Sequence, residues 1–350
     1  MIVRPIAHAD LPSLLALAEG AGIGMTTLPR NQTLLAARID ASERTFAGRA
    51  ENADRQWMFV LEDPSAKRIA GVSAIVGAVG LRDPFYSYRV GLVVHASREL
   101  GIFTQTPTLF LSNDHTGASE LCSLYLDPQY RQGRNGALLS KCRFLFMAEF
   151  RDRFADKVFA ELRGVSDTQG RSPFWESLGR HFFSMDFAQA DYLTGIGKKS
   201  FVAELMPKHP LYTSFLTPEA QAAIGETHEL TKPARRLLEE EGFRYDHHVD
   251  IFDAGPTVEC ALADIHAVRH SVTAQVSRIV DDDAEQLSTV PPTMVATTAL
   301  PGFRLALGRA RRDEAGVVLS RTIAEAIGAA VGERVRLVAL SPRERSNTHG

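Results

Sequence analysis

Alternating apolar and polar positions open the chain. Ile2 to Ile6 reads as a short strand. Asp10 then offers a helix cap with Pro12 in the first turn, and a helix runs through Leu17. Leu34, Leu35, Ile39 and Phe46 recur at roughly helical spacing and predict a helix from about Asn31 to Phe46. Trp57 to Leu61 and Ile69 to Val79 are β-rich and joined by the polar turn DPSAK, which predicts a hairpin. Tyr86 to His95 is a third strand. Thr108 to Leu111 and Glu120 to Leu126 are strands on either side of the polar loop SNDHTGAS. A long helix follows from about Asn135 to Phe154, then a strand from Lys157 to Leu162 and an aromatic-rich helix from Pro173 to Phe183. Pro233 opens a helix that Gly242 closes, and Tyr245 to Phe252 is the strand that leaves it.

Past His270 the pattern changes. The stretch DDDAEQLSTVPPT is acidic, then proline-rich, and reads as a linker. Short β-rich runs follow at Met294 to Thr298, Phe303 to Leu307, Val317 to Leu319 and Val335 to Leu340, with a helix at about Thr322 to Ala329. This organisation predicts a catalytic domain over 1–270, a small β-barrel-like domain over 271–341 and a flexible tail over 342–350. The fold class is α+β, a mixed sheet flanked by helices. No repeat with a period of roughly 20 to 50 residues is present.

Composition narrows the function classes. The chain has 350 residues, 45% hydrophobic and 23% charged, with a net charge of -3. Those values describe a soluble globular protein and carry no basic field for nucleic acid. The three cysteines, Cys122, Cys142 and Cys260, are far apart and lack a CxxC pair, which points to a reducing compartment. The N-terminus is broken by Pro5, Asp10 and Pro12 and is not a signal peptide. The apolar run from Ile69 to Leu81 is too short to span a bilayer. A cytoplasmic protein without membrane or nucleic-acid partners is expected.

The most informative stretch is ELCSLYLDPQYRQGRNGALLSKCRFLFMAEF. A strand ends at Asp127 and Pro128, a loop carries Arg131, Gln132, Gly133, Arg134, Asn135, Gly136 and Ala137, and a helix begins. The first turn of a helix presents unpaired N–H groups and a partial positive charge, so this geometry suits an anion. Glycines let the backbone come close to a phosphate, and Arg131, Arg134 and Lys141 add charge for a pyrophosphate.

The same stretch resembles the acyl-CoA-binding motif of the GNAT superfamily of N-acyltransferases. Leu126-Asp127-Pro128, Tyr130-Arg131 and Gly136-Ala137-Leu138-Leu139 match it; Arg134 stands where the family has its first glycine, with Gly133 one residue earlier. The segment ending Glu240-Glu241-Gly242-Phe243 resembles the closing helix–strand unit of that fold. Longer stretches, LFLSNDHTGASELCSLYLDP, RGVSDTQGRSPFWESLGRHFFSMDF, FVAELMPKHPLY and DIFDAGPTVEC, resemble the arginine N-succinyltransferases from Ile2 to about Ile265. The C-terminal part matches loosely, through GERVRLV. This resemblance implies a GNAT-type fold with a splayed central strand pair, and transfer of succinyl from succinyl-CoA to the α-amine of L-arginine in a ternary complex. Succinyl-CoA is then a co-substrate, and no tightly bound cofactor is expected. An oligomer, of like chains or with a paralogous subunit, is implied by analogy.

Residue roles follow from the resemblance. His228, in GETHELTKPA, takes the proton-donor role; histidine titrates near neutrality and suits it. Leu124 and Leu126 become succinyl-CoA contacts on the strand before the loop. Glu120, at the start of that strand, is a candidate base. Asp114 and His115 are candidates for the guanidinium or α-amine of the acceptor. Other constellations carry less. His266 and His270 have zinc-helix spacing but lack a HExxH glutamate and a third ligand, so no metal is expected. Cys122 fits buried packing better than a nucleophile. Two other readings stay open: an acyltransferase acting on another amine such as ornithine, and a non-catalytic subunit of a heteromeric transferase.

Overall fold

The computed structural model describes residues 1–22, 25–195 and 204–341. The tail 342–350 and residues 201–203 of the FVAELMPKHPLY stretch lie outside them. In the first part of the chain the strands are β1 (Ile2–Pro5), β2 (Gln56–Asp63), β3 (Arg68–Val76), β4 (Ser87–Ser97), β5 (Ile102–Ser112), β6 (Ser119–Leu126), β7 (Lys157–Glu161), β8 (Leu211–Tyr212), β9 (Arg244–Val249) and β10 (Pro256–Ala261). The rest are β11 (Val272–Val280), β12 (Thr293–Thr297), β13 (Leu305–Gly308), β14 (Ala310–Asp313), β15 (Gly316–Ser320) and β16 (Arg334–Ala339). Among the described residues they form one mixed sheet in the order β14-β15-β11-β16-β12-β13-β1-β2-β3-β6-β7-β10-β9-β4-β5-β8. The expected α+β class, a mixed sheet flanked by helices, is the class observed.

Helices cover both faces of the central strands. Successive strand residues point to opposite faces, so the run Trp57 to Leu61 on β2 is buried throughout. Met58 and Val60 pack with Leu14, Leu17 and Ala18 of α1 (Leu11–Ala21) and with Leu35 and Ile39 of α2 (Gln32–Phe46). Trp57, Phe59 and Leu61 face the other way, onto Leu138, Leu139, Cys142 and Phe146 of α3 (Asn135–Glu149). Asn31 caps α2 by accepting the Leu34 N–H at 3.1 Å. Asp10 instead spends its carboxylate on Arg4, at 2.7 Å, and on the Ala7 N–H.

Several boundaries shift for local reasons. Helix α3 stops at Glu149 rather than near Phe154, because Phe150 leaves helical geometry and a 3-10 turn, Arg151–Arg153, follows. The strand expected through Phe252 ends at Val249, where Asp250 accepts the N–H groups of Phe252 and Asp253 and turns the chain. Within the aromatic-rich helix, Trp175–Gly179 winds as a π turn. A Cβ on Gly179 would sit 2.3 Å from the Trp175 ring, so glycine is what lets that ring lie against the backbone. Strands β10 and β11 lie where the sequence pattern predicts none. The C-terminal strands also do not stand apart: β13 pairs with β1, Ile2 opposite Ala306 and Val3 opposite Leu305, and so extends the main sheet.

Candidate active site

Strands β6 and β7 are parallel but touch only at Ser119 with Val158 and Glu120 with Phe159. Beyond Glu120 they part, leaving a gap in the middle of the sheet. This is the splayed pair that the resemblance implies. On its other side β6 stays paired with β3, but the register slips between the Val72–Tyr125 and Ala74–Cys122 pairs, and Ser123 lies in the left-handed region at φ 52. The slip is a β-bulge, and it is pinned from the α1–α2 side. Ser123 N–H donates to Thr27 Oγ1 at 3.1 Å, and its hydroxyl donates to the Thr27 carbonyl at 3.0 Å. Arg38 Nη1 reaches the same hydroxyl at 3.2 Å. Leu124 and Leu126, expected to line the co-substrate, are half-buried on the far side of the bulge.

The loop after β6 leads into α3. Asp127 accepts the Gln129 N–H at 2.9 Å and opens a 3-10 turn. Gly133 takes φ 62, a conformation that a side chain would strain, and so turns the chain toward α3 in spite of Arg134 at the next position. Asn135 donates its side-chain amide to the Tyr130 carbonyl at 3.1 Å and ties the loop together. The N–H groups of Asn135, Gly136 and Ala137 open α3 without helical acceptors. Gln132 and Arg134 are exposed beside them. Arg131 folds back: its Nε donates to the Leu126 carbonyl at 3.0 Å, and its guanidinium lies 5.6 Å from the Tyr125 ring centre.

Lys141 is not part of this cradle. It is buried, pairs with the buried Glu241 at 3.0 Å and donates to the Leu340 carbonyl at 3.1 Å. One turn of helix carried it inward, to where it locks α3 onto the end of the Lys232–Glu240 helix.

His228 stands across the gap. Its backbone N–H donates to the Arg163 carbonyl at 2.9 Å, two residues past β7. Continuing the parallel register puts Glu161 level with Cys122 and Arg163 level with Leu124, so His228 is anchored on the bank facing the bulge. Its Nδ1 accepts the Leu230 N–H at 3.2 Å. In the neutral ring the proton therefore sits on Nε2. Burial first, then the Arg163 charge, lowers the His228 pKa below its ordinary value.

At the closed end of the gap lies a cavity of about 370 Å³, within the ~300–1,000 Å³ range of small-molecule sites. Four carboxylates line it, Asp83, Glu120, Glu161 and Asp250, together with Arg38 and the rings of Phe85, Tyr86 and Phe252. Arg82 also lines it and pairs with Asp54 at 2.7 Å and Glu51 at 3.0 Å. Burial raises the pKa of Asp250, which is close to the buried Asp253. Asp253 in turn holds the Gly164 N–H at 2.7 Å and so fixes the turn after β7. A second hollow of about 450 Å³ lies among the C-terminal strands; Asp282, which lines it, is already bonded to Thr322.

The remaining sequence candidates separate from this cavity. His115 is fully buried, bonded to Ser87 through Nδ1 and to Glu259 through Nε2 at 3.0 Å. Asp114 accepts from His248 at 3.0 Å near the surface. Neither lines the cavity. His115, His248 and Glu259 are close enough to hold a metal ion, but each already has a protein partner, with Lys157 on Glu259 at 2.8 Å. Burial pushes the Cys122 thiol up to about 11, which leaves it almost wholly protonated near neutrality and suits packing rather than attack. Glu161, Asp250, Arg38 and the buried Arg143 are additions that the sequence did not single out. The visible signal for Arg143 is a cation inside the apolar run CRFLFM.

Comparison with known proteins gives a consistent picture. Residues 1–267 match the family model for the arginine N-succinyltransferase beta subunit, and 272–339 match the model for its C-terminal domain. The arginine N-succinyltransferases of Salmonella typhimurium and Salmonella enteritidis PT4 are 50% identical over 345 residues, 99% of either chain. The solved structure of arginine/ornithine succinyltransferase subunit AI from Pseudomonas aeruginosa is 36% identical with a TM-score of 0.88, covering 97% of this chain and 98% of that one.

Proposed function

The chain belongs to the arginine N-succinyltransferase family, and from that premise we propose that it transfers succinyl from succinyl-CoA to the α-amine of L-arginine. CoA enters as a co-substrate rather than a resident cofactor. The observation that carries the reading is the acid-lined cavity at the closed end of the β6–β7 gap. Arginine brings two cationic groups and one carboxylate. Glu120 and Glu161 offer charge-assisted acceptors to the first two, Asp250 is a further acceptor whose burial favours its neutral form, and Arg38 offers a donor to the third. The pantetheine arm lies in the gap along Leu124 and Leu126, with its pyrophosphate over Arg131 to Ala137.

Glu120 takes a proton from the incoming ammonium, and the neutral nitrogen attacks the thioester carbonyl. The carbon–nitrogen bond forms, the carbon–sulfur bond breaks, one proton ends on the CoA sulfur and one leaves to solvent. With Nδ1 committed to the Leu230 N–H, the neutral His228 ring has Nε2–H to offer to the gap. That N–H hydrogen-bonds the developing thiolate, and the proton that ends on sulfur is the second one lost by the attacking nitrogen. No covalent enzyme intermediate is needed. His228 at the gap argues against a purely structural subunit.

Ornithine is the second acceptor to weigh, because the Pseudomonas relative is described as acting on both. An oligomer is part of the same proposal; that relative is described as a subunit. So is a cytoplasmic setting, supported by three free, buried cysteines. Among the described residues no helix is long and apolar enough to cross a membrane.

The acceptor assignment is tested by Glu161→Gln. Removing one charge–charge hydrogen bond raises the KM for arginine about 10- to 100-fold and leaves the KM for succinyl-CoA within error. Equal changes in both KM values would remove Glu161 from the acceptor site.

A further inference from the structure

Arg143 is 2% exposed, in the third turn of α3. Its Nε donates to the Ser140 carbonyl at 3.0 Å and its Nη2 to the Ser140 hydroxyl at 3.1 Å. Both partners are neutral, and both belong to its own helix. Among the described residues no carboxylate forms an ion pair with it. A buried cation without an anion costs several kcal/mol in a folded protein, and burial accordingly lowers its pKa. Other inward arginines have acidic or polar surroundings. Burial lowers the Arg163 pKa too, but the Asp253 and Asp191 carboxylates oppose it, and Arg38 bonds Gln56 and Ser123 beside the acidic cavity.

The position of Arg143 supplies the missing anion. Seven residues separate it from Gly136, so the two share a helix face about 10 Å apart along the axis. Gly136 faces Leu126 at the phosphate end of β6, where a Cβ would meet the Leu126 side chain at 3.9 Å. Four strand residues back from Leu126 lies Cys122, about 13 Å away. The helix offset from Gly136 carries Arg143 back along β6 to about this level. That level is beside the bulge at Ser123. A pantetheine arm running down the gap from the phosphate loop ends here. Succinyl differs from a plain acyl group by a carboxylate about 4 Å beyond the thioester carbon.

We propose that Arg143, on the floor of the β6–β7 gap, binds the terminal carboxylate of the succinyl group and so selects a dicarboxylic acyl donor. This rests on the succinyl-transfer reading above. The guanidinium is pre-placed, dry and held at two points by Ser140, which favours a planar carboxylate over a neutral acyl terminus.

The test uses succinyl-CoA and butyryl-CoA, which has a methyl group in place of the carboxylate. Free CoA is read with arginine present, and donor binding is measured by calorimetry without acceptor. The wild-type chain prefers succinyl-CoA, and Arg143→Met lowers kcat/KM for succinyl-CoA about 10- to 150-fold relative to butyryl-CoA, the range for a hydrogen bond to a charged group. Arg143→Lys recovers part of the ratio. A wild-type chain that binds butyryl-CoA as tightly as succinyl-CoA overturns the proposal without any variant. So does a folded Arg143→Met whose two donors fall equally, which is the signature of a structural strut. If the wild type transfers nothing to arginine, the functional reading fails, and the calorimetric donor preference still decides the role of Arg143.

Discussion

His228 is where single-residue chemistry is most exposed to test. Its Nδ1 is committed to the Leu230 N–H, so the ring is a donor at Nε2 and cannot serve as a base there without breaking that bond. Protonating the ring puts a second hydrogen against the Leu230 N–H, which opposes the charged form in the same direction as burial and Arg163. His228→Gln is expected to lower kcat about 10²- to 10⁴-fold with little change in either KM. Because the folded-state pKa is depressed, the neutral donor persists to lower pH than for an ordinary histidine. The acid limb of kcat should centre below about 6.5 and be absent in the variant. A steady-state pH profile checks both; a limb centred above that value would contradict the assigned tautomer. The histidine itself was found only through the family resemblance. Nothing in its local pattern marks it, since its anchor, the Arg163 carbonyl, is 65 residues earlier in the chain.

At the scale of elements, the strand–loop–helix unit from β6 to α3 was legible because its signals are local. Asp127-Pro128 ends the strand, and Gly133 supplies the left-handed turn that Arg134 does not. Lys141 shows where such reading stops. Spacing from the loop suggested a phosphate contact, while the fold turned it toward Glu241, 100 residues away. Lys141→Ala leaves Glu241 buried without its cation and should cost about 3–5 kcal/mol, read as a lower midpoint in urea. CoA affinity of the folded variant should be unchanged, and a large loss of CoA affinity would return Lys141 to the cradle. The Asp250 turn and β10 were missed for a related reason. The turn is set by a carboxylate accepting two N–H groups, and β10 is recognised through its pairing with β7, not through periodicity.

For the whole molecule, one sheet carries both the gap and the C-terminal strands. The sequence marks the change of composition after His270 but not the pairing of β13 with β1, because that contact joins residues about 300 positions apart. Arg336 on β16 bonds Glu149 at the end of α3 at 2.7 Å, and Lys141 reaches the Leu340 carbonyl. The C-terminal part therefore buttresses the helix that begins at Asn135 and carries Arg143. The acceptor cavity was illegible for the same reason as these contacts. Its carboxylates come from the loop after β3, from β6 and β7 and from the turn after β9, which meet only in the fold. What binds them together is a single claim, that succinyl passes from CoA to the α-nitrogen of arginine. The most direct measurement is CoA release from succinyl-CoA by the purified full chain, with and without arginine, followed by mass and fragmentation analysis of the product. The account predicts arginine-dependent release and succinyl on the α-nitrogen. Release at the same rate without arginine, or succinyl found on the guanidinium, would contradict it.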